Sequence, residues 1–268
     1  MAEQTLNRYG RLIESIFKKY YKRGDTQVDF AREDIVAAAS RLKLVLPKNL
    51  GDVLYSFRYR AQLPQSIVSM APADREWIIR PAGRARYRFV LAPKGAGNIK
   101  PSESLAETKV LDATPGVISV YALSDEQALL AKLRYNRLID IFTGLTCYSL
   151  QNHLRTTAPG MGQVETDEIY IGMDKRGAHY VLPVQGKGGR DKVGVVQIEQ
   201  DFAVCEAKFP ALICRPIAAQ FMRDDLIALF AFEQQDDVVK VVDEKHYRLV
   251  LPDQLSAADL LAYRSRHA

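Results

Sequence analysis

The stretch VETDEIYIGMDKRGAHYVLPVQGKGG, residues 164–189, decides the fold of the C-terminal half: two apolar runs flank a short polar turn. Val, Ile, Tyr, Thr and Leu fill both runs, the residue types that suit a pleated, half-buried surface. Lys175-Arg176-Gly177 between them suits a three-residue hairpin loop with Gly177 in the left-handed conformation. Asp174 then faces Ala178, and facing residue numbers sum to 352. Gln185 falls opposite Asp167 and Lys187 opposite Glu165, so all four share one face. A two-residue loop would shift the pairing by one and split the group between faces.

Acidic residues are uncommon inside strands, because burying a carboxylate is costly unless something compensates it. Four polar side chains at one end of an apolar hairpin therefore point to a site. Asp167 and the amide oxygen of Gln185 are hard donors suited to Mg2+. Such an ion lowers the pKa of bound water and offsets charge on a phosphodiester. Lys187, two residues beyond Gln185 on the same side, is placed to orient the attacking water or neutralise the phosphorus centre. Glu165 is either a supporting partner or a ligand for a second metal. The plainer alternative is a solvated ladder of ion pairs among Glu165, Asp167 and Lys187.

On either side of the hairpin, residues 124–157 suggest a long helical stretch broken near Gly144, and residues 191–209 a second helix. Strand-like runs lie near 211–221, 226–233 and 238–250, with two short ones in 108–122. Asp167 followed by Gln185-x-Lys187 across a hairpin, between two helices, resembles the PD-(D/E)xK nucleases. Restriction endonucleases, Holliday-junction resolvases and repair nucleases share that fold. The resemblance spans about residues 125–221. It implies metal binding by Asp167 and Gln185, a catalytic role for Lys187, Mg2+ as cofactor and Mn2+ as a substitute. Gln185 stands where an acid is usual, and Thr166 precedes Asp167 at a position that is often not proline. Many members add an acidic residue from the preceding helix, and Asp140, Glu126 and Gln151 are all in range for it.

Residues 94–104 within PKGAGNIKPSES read as a linker, rich in Gly, Pro, Ser and Lys. Before it, apolar spacing predicts helices at 6–21, 32–42 and 50–59, with Asn49 as N-cap of the third, a short strand at 26–30, and a hairpin around Gly83. That order resembles a winged helix-turn-helix, in which the third helix enters the major groove and the hairpin lies along the backbone. Arg58 and Arg60 on the third helix, and Arg84 and Arg86 on the wing, are the expected DNA contacts, with Ser56, Tyr59, Gln62, Arg80 and Arg88 near them.

Charge agrees with the division. Residues 1–100 hold 19 Lys/Arg against 9 Asp/Glu, and residues 101–268 hold 18 against 23. A basic half joined to an acidic half suggests a polyanion-binding module followed by one of another kind. No apolar run reaches the length of a membrane span, and the N-terminus lacks the pattern of a signal peptide. Cys147, Cys205 and Cys214 form no CxxC pair and the 4 histidines lack zinc-like partners, which suggests reduced thiols in a cytoplasmic protein without structural zinc.

The expected architecture is α/β in the sense of α+β: a winged-helix domain over 1–93, a linker, and a restriction-endonuclease-like mixed-sheet domain over 105–268. The expected function is a metal-dependent DNA endonuclease of restriction type. Double-stranded DNA is the expected partner, and there is room for a homodimer. The alternative is a DNA-binding regulator whose nuclease-like half is inactive and serves dimerisation.

Overall fold

The computed structural model describes residues 7–121, 126–188, 191–222, 226–235 and 238–266, with the side chains of Tyr59 and Arg60 outside the described set. The protein is α+β. It divides into two compact units, one of residues 1–99 with 156–164 and 194–203, the other of 100–155, 165–193 and 204–268.

The first unit begins with α1 (Arg8–Tyr20), capped by Asn7, whose side chain accepts the Gly10 amide at 2.9 Å. Leu12, Ile13, Ile16 and Phe17 recur at helical spacing and are buried. Then follow β1 (Gln27–Ala31), α2 (Arg32–Leu42), α3 (Gly51–Tyr55), a wider π-helical turn at Ser56–Arg60, α4 (Gln65–Val68), β2 (Arg75–Pro81) and β3 (Arg86–Pro93). The three strands form an antiparallel sheet in the order β1-β3-β2. Phe17 meets Trp77 and Phe89 edge-on, at centroid distances of 5.1 and 5.0 Å, and so joins α1 to the sheet. Asn49 lies one residue before the observed N-cap, Leu50, and accepts the Gly51 amide at 3.0 Å.

Part of the linker stretch is held down. It contains β4 (Asn98–Ile99), and the Gly97 amide donates to Glu76 Oε1 at 2.8 Å. A Cβ at Gly97 would stand 3.0 Å from both Glu76 Oε1 and Ile78 Cγ2, so this approach favours glycine.

The second unit runs β5 (Glu107–Leu111), α5 (Gly116–Tyr121), α6 (Glu126–Tyr135), α7 (Leu138–Thr143), β6 (Thr146–Ala158), β7 (Gly162–Met173), β8 (His179–Lys187), β9 (Val193–Gly194), α8 (Val195–Lys208), β10 (Ile213–Cys214), β11 (Ile217–Phe221), β12 (Leu226–Gln235), β13 (Val238–Val250) and α9 (Ala257–Ser265), parts of β6, β7, β9 and α8 counting with the first unit. Its sheet is mixed, in the order β5-β13-β12-β11-β8-β7-β6, with β10 also beside β8. β8 runs antiparallel to β7 and parallel to β11. Leu129, Leu130 and Leu133 of α6 pack with Tyr170, Leu182 and Val184 on one face of that hairpin. Ile169 and Val181 on the other face meet Cys205 of α8.

Two expected elements differ. Residues 116–121 are helix rather than strand. The helical stretch expected to 157 ends at Gly144, whose φ of 68° closes α7, and 146–158 is the edge strand β6. Leu150 and Leu154 stand four apart and mimic a helical stripe. An edge strand needs few apolar residues, so the alternation that marks a strand is absent here.

The cysteine expectation is corrected. Cys205 on α8 and Cys214 on β10 form a disulfide, with Cα atoms 5.9 Å apart, and Cys147 is the free thiol. The two stand nine positions apart in the sequence, and the turn from helix to strand that joins them leaves no short motif. Burial pushes the Cys147 thiol up to about 11. Protein purified without reductant should therefore resist alkylation at pH 8 while folded. It should yield one reactive thiol after denaturation and three after reduction; three before reduction would refute the bond.

Candidate active site

The hairpin forms with the expected register. Met173 pairs with His179 and pairing continues to Glu168 and Val184, every pair summing to 352. Asp174 N donates to Ala178 O at 3.1 Å, and Gly177 sits at φ 84°, as the three-residue turn requires. β8 is a central strand, buried from Val181 through Lys187. Its interior is apolar until Gln185 and Lys187, which are 1% and 4% exposed.

The pairing with β7 reaches Val184, and β8 continues beside β11 to Lys187, opposite Gln220. The Gly186 amide donates to Asp167 Oδ2 at 2.9 Å. Lys187 Nζ stands 3.9 Å from Asp167 Oδ2 and 3.5 Å from Glu126 Oε1 at the start of α6. One buried ammonium is thus held between two carboxylates. Burial pushes the Glu126 carboxyl above its ordinary value; Lys187 opposes that shift, and the negative charges of Asp167 and Asp191 add to it.

Gln185 lies next to this group, its Nε2 donating to the Glu165 backbone oxygen at 3.4 Å. The Glu165 carboxylate turns elsewhere, to Arg155 Nε at 3.1 Å and His153 Nδ1 at 3.8 Å. Asp140 is also engaged elsewhere: it ion-pairs with Arg137 and accepts the Cys147 amide at 3.0 Å. Gln151 is exposed on β6. Glu126 is the one of the three helix-side alternatives that meets Lys187.

No family model, curated protein or solved structure matches the chain. The site therefore rests on the chemistry of its own donors. Among the described residues no three His, Cys, Asp or Glu side chains converge to hold a metal. Asp167 and Glu126 supply two carboxylates, and the Gln185 amide carries a third oxygen. That set fits Mg2+, which keeps several waters and needs few protein oxygens.

Sequence reasoning passed over Glu168, adjacent to Asp167 but facing the α6 side. It is fully buried, and its Oε1 accepts from Arg134 Nε at 3.1 Å and from the Ser149 hydroxyl. The available signal was its place in the even-numbered run Val164, Thr166, Glu168, Tyr170, all of it buried.

In the first unit, the arginines expected at a nucleic-acid interface divide into committed and free. Arg88 forks onto Asp29 at 2.5 and 3.1 Å, and Arg80 Nη2 lies 2.5 Å from Glu199. Arg58 lies over the Tyr87 ring, 5.4 Å from its centroid, with Nε and Nη2 sealed from solvent. Arg84, in the turn rather than the strand, and Arg86 are exposed. The side chain of Arg60 lies outside the described residues.

Proposed function

We propose that the chain is a metal-dependent DNA endonuclease of the PD-(D/E)xK type, its first unit a winged-helix-like DNA reader and its second the hydrolase. The observation that carries this is Lys187 held between Asp167 and Glu126 at the end of a rigid central hairpin. The strand order β1-β3-β2, together with α1, α2 and α3, supports the winged-helix part.

Asp167, Glu126 and Gln185 would hold Mg2+, with Mn2+ as a substitute; bound there, the ion supplies a low-pKa water and charge on the scissile phosphate. The chain itself supplies the rest. Lys187 presents a fixed cation to the phosphate oxygens, and burial strengthens its field over that of a solvated lysine. Asp167 and Glu126 hold the ammonium in place before substrate arrives. The strands that carry Asp167 and Lys187 are held by backbone pairing, so little reorganisation is needed.

Double-stranded DNA is the substrate under this proposal, and a homodimer would suit two-strand cutting. No described helix is long and apolar enough to cross a membrane. A cytoplasmic setting belongs to the proposal, and the Cys205–Cys214 bond is its main difficulty, since reducing compartments disfavour disulfides.

A second function is favoured by one feature: Gln185 is uncharged, sealed, and spends its amide hydrogen on Glu165. A DNA-binding regulator with an inactive nuclease-like dimerisation half would show that feature. Purified protein incubated with supercoiled plasmid and Mg2+ or Mn2+ separates the two. Nicking that EDTA stops supports the endonuclease; intact plasmid alongside duplex binding supports the regulator.

Gln185→Glu sharpens the test. If Gln185 binds the ion, the added charge should tighten metal binding severalfold and keep cleavage. If its amide is only a core hydrogen-bond partner, the buried carboxylate should cost a few kcal/mol instead. Metal titration and thermal melting of the variant give the two readouts.

A further inference from the structure

Four cations of the first unit line one groove, on α1 and α2 rather than on the expected recognition helix. On α1, Arg11, Ser15, Lys18 and Lys19 stand at i, i+4, i+7 and i+8, one stripe opposite the buried apolar face. Arg41, in the last turn of α2, reaches across and donates to the Ser15 hydroxyl. Together they line a groove of about 440 Å3 whose one carboxylate is Glu14.

That carboxylate is occupied, by Lys18 Nζ at 2.6 Å and the Ser66 hydroxyl at 2.6 Å. Lys19 is paired with Asp34 at 2.9 Å. Arg11 makes no ion pair among the described residues, and the guanidinium of Arg41 meets only Ser15. A merely solvated helix face usually intersperses both signs; here Glu14 and Asp34 offset Lys18 and Lys19, and Arg11 and Arg41 remain as the excess positive charge of the groove. Arg11 and Lys18 are seven residues apart, about 10 Å along the helix, enough to reach two neighbouring phosphates of one strand. Guanidinium forks suit phosphate oxygens, which accept two parallel hydrogen bonds.

Granting the DNA-binding role proposed above for the first unit, we infer that the groove between α1 and α2 grips the phosphate backbone of duplex DNA. Arg11 and Arg41 make the primary contacts, and Lys18 and Lys19 add charge along the same strand. The contact is blind to sequence, because phosphates carry none.

The test is duplex binding by the full chain in EDTA, followed by fluorescence anisotropy over a range of KCl concentrations. The variants are Arg11→Gln/Lys18→Gln/Arg41→Gln for the groove and Arg84→Gln/Arg86→Gln for the wing. Each lost phosphate contact should lower the slope of log K against log salt by about 0.9, so the triple variant should lose roughly 2–3 in slope, equally on unrelated sequences. Arg11→Gln alone, at an exposed and unpaired position, guards against misfolding and should lose about 0.9. If the wild type binds but its slope survives both groove variants, the groove inference fails and DNA binding stands; a loss confined to the wing variant has the same meaning. If the wild type shows no salt-dependent duplex binding, both fail. Binding to anionic vesicles that the groove variants lose, with duplex binding unchanged, would also overturn the inference and assign the groove to a membrane surface.

Discussion

Replacing Asp167 with alanine should lower metal-dependent plasmid cleavage by at least a thousandfold, about 4 kcal/mol of transition-state stabilisation, while duplex binding survives. The substitution removes one of two carboxylates in the site and one of the two that hold Lys187. It also strips the Gly186 amide of its acceptor, which would cost about 1–3 kcal/mol of stability if that amide is left unpaired. Asp167→Asn separates the two effects. The amide oxygen can still accept from Gly186, so this variant should melt close to the wild type and yet be as inactive as alanine. Either variant keeping more than about a tenth of the wild-type rate, less than 1.4 kcal/mol of loss, would remove Asp167 from the chemistry.

The hairpin was legible in the sequence because its information is local. Lys175-Arg176-Gly177 suits a three-residue loop, and that length fixes which residues face one another. Side-chain periodicity then placed Asp167 and Lys187 together without knowledge of anything distant. The choice of Glu126 over Asp140 and Gln151 was not legible, because it depends on where α6 crosses β8. That crossing is set by Leu130 packing over Gly186, where a Cβ would lie 3.4 Å from the leucine. β6 was misread for the opposite reason: an edge strand leaves most of its side chains in water, so burial imposes no period on it. The Cys205–Cys214 bond needed the geometry of a helix-to-strand turn, which no spacing rule encodes.

Arg134→Met should destabilise the fold by about 3–5 kcal/mol, the usual cost of leaving one partner of a buried ion pair uncompensated. Glu168 is fully buried; Arg134 holds its Oε1 through Nη2 at 3.0 Å and Nε at 3.1 Å, while Oε2 is sealed with no hydrogen-bond partner among the described residues. Burial lowers the affinity of the Arg134 guanidinium for its proton, but the Glu168 charge outweighs it and the net shift is upward. Glu168→Gln should cost less, about 1–2 kcal/mol, since the guanidinium left behind is 39% exposed and can reach water. Joined to Arg134→Met it should recover part of the larger loss, because the stranded charge is gone. The urea midpoint at pH 7 checks this. A loss below 1 kcal/mol would show that the pair is not a buried charge pair in solution. The consequence reaches the site because Glu168 and Asp167 are neighbours on β7 facing opposite ways. A slip of one residue would carry Asp167 into the apolar face and Glu168 out of it. Arg134 on α6, which meets a carboxylate at that position, adds to the loop in favouring the correct facing of β7.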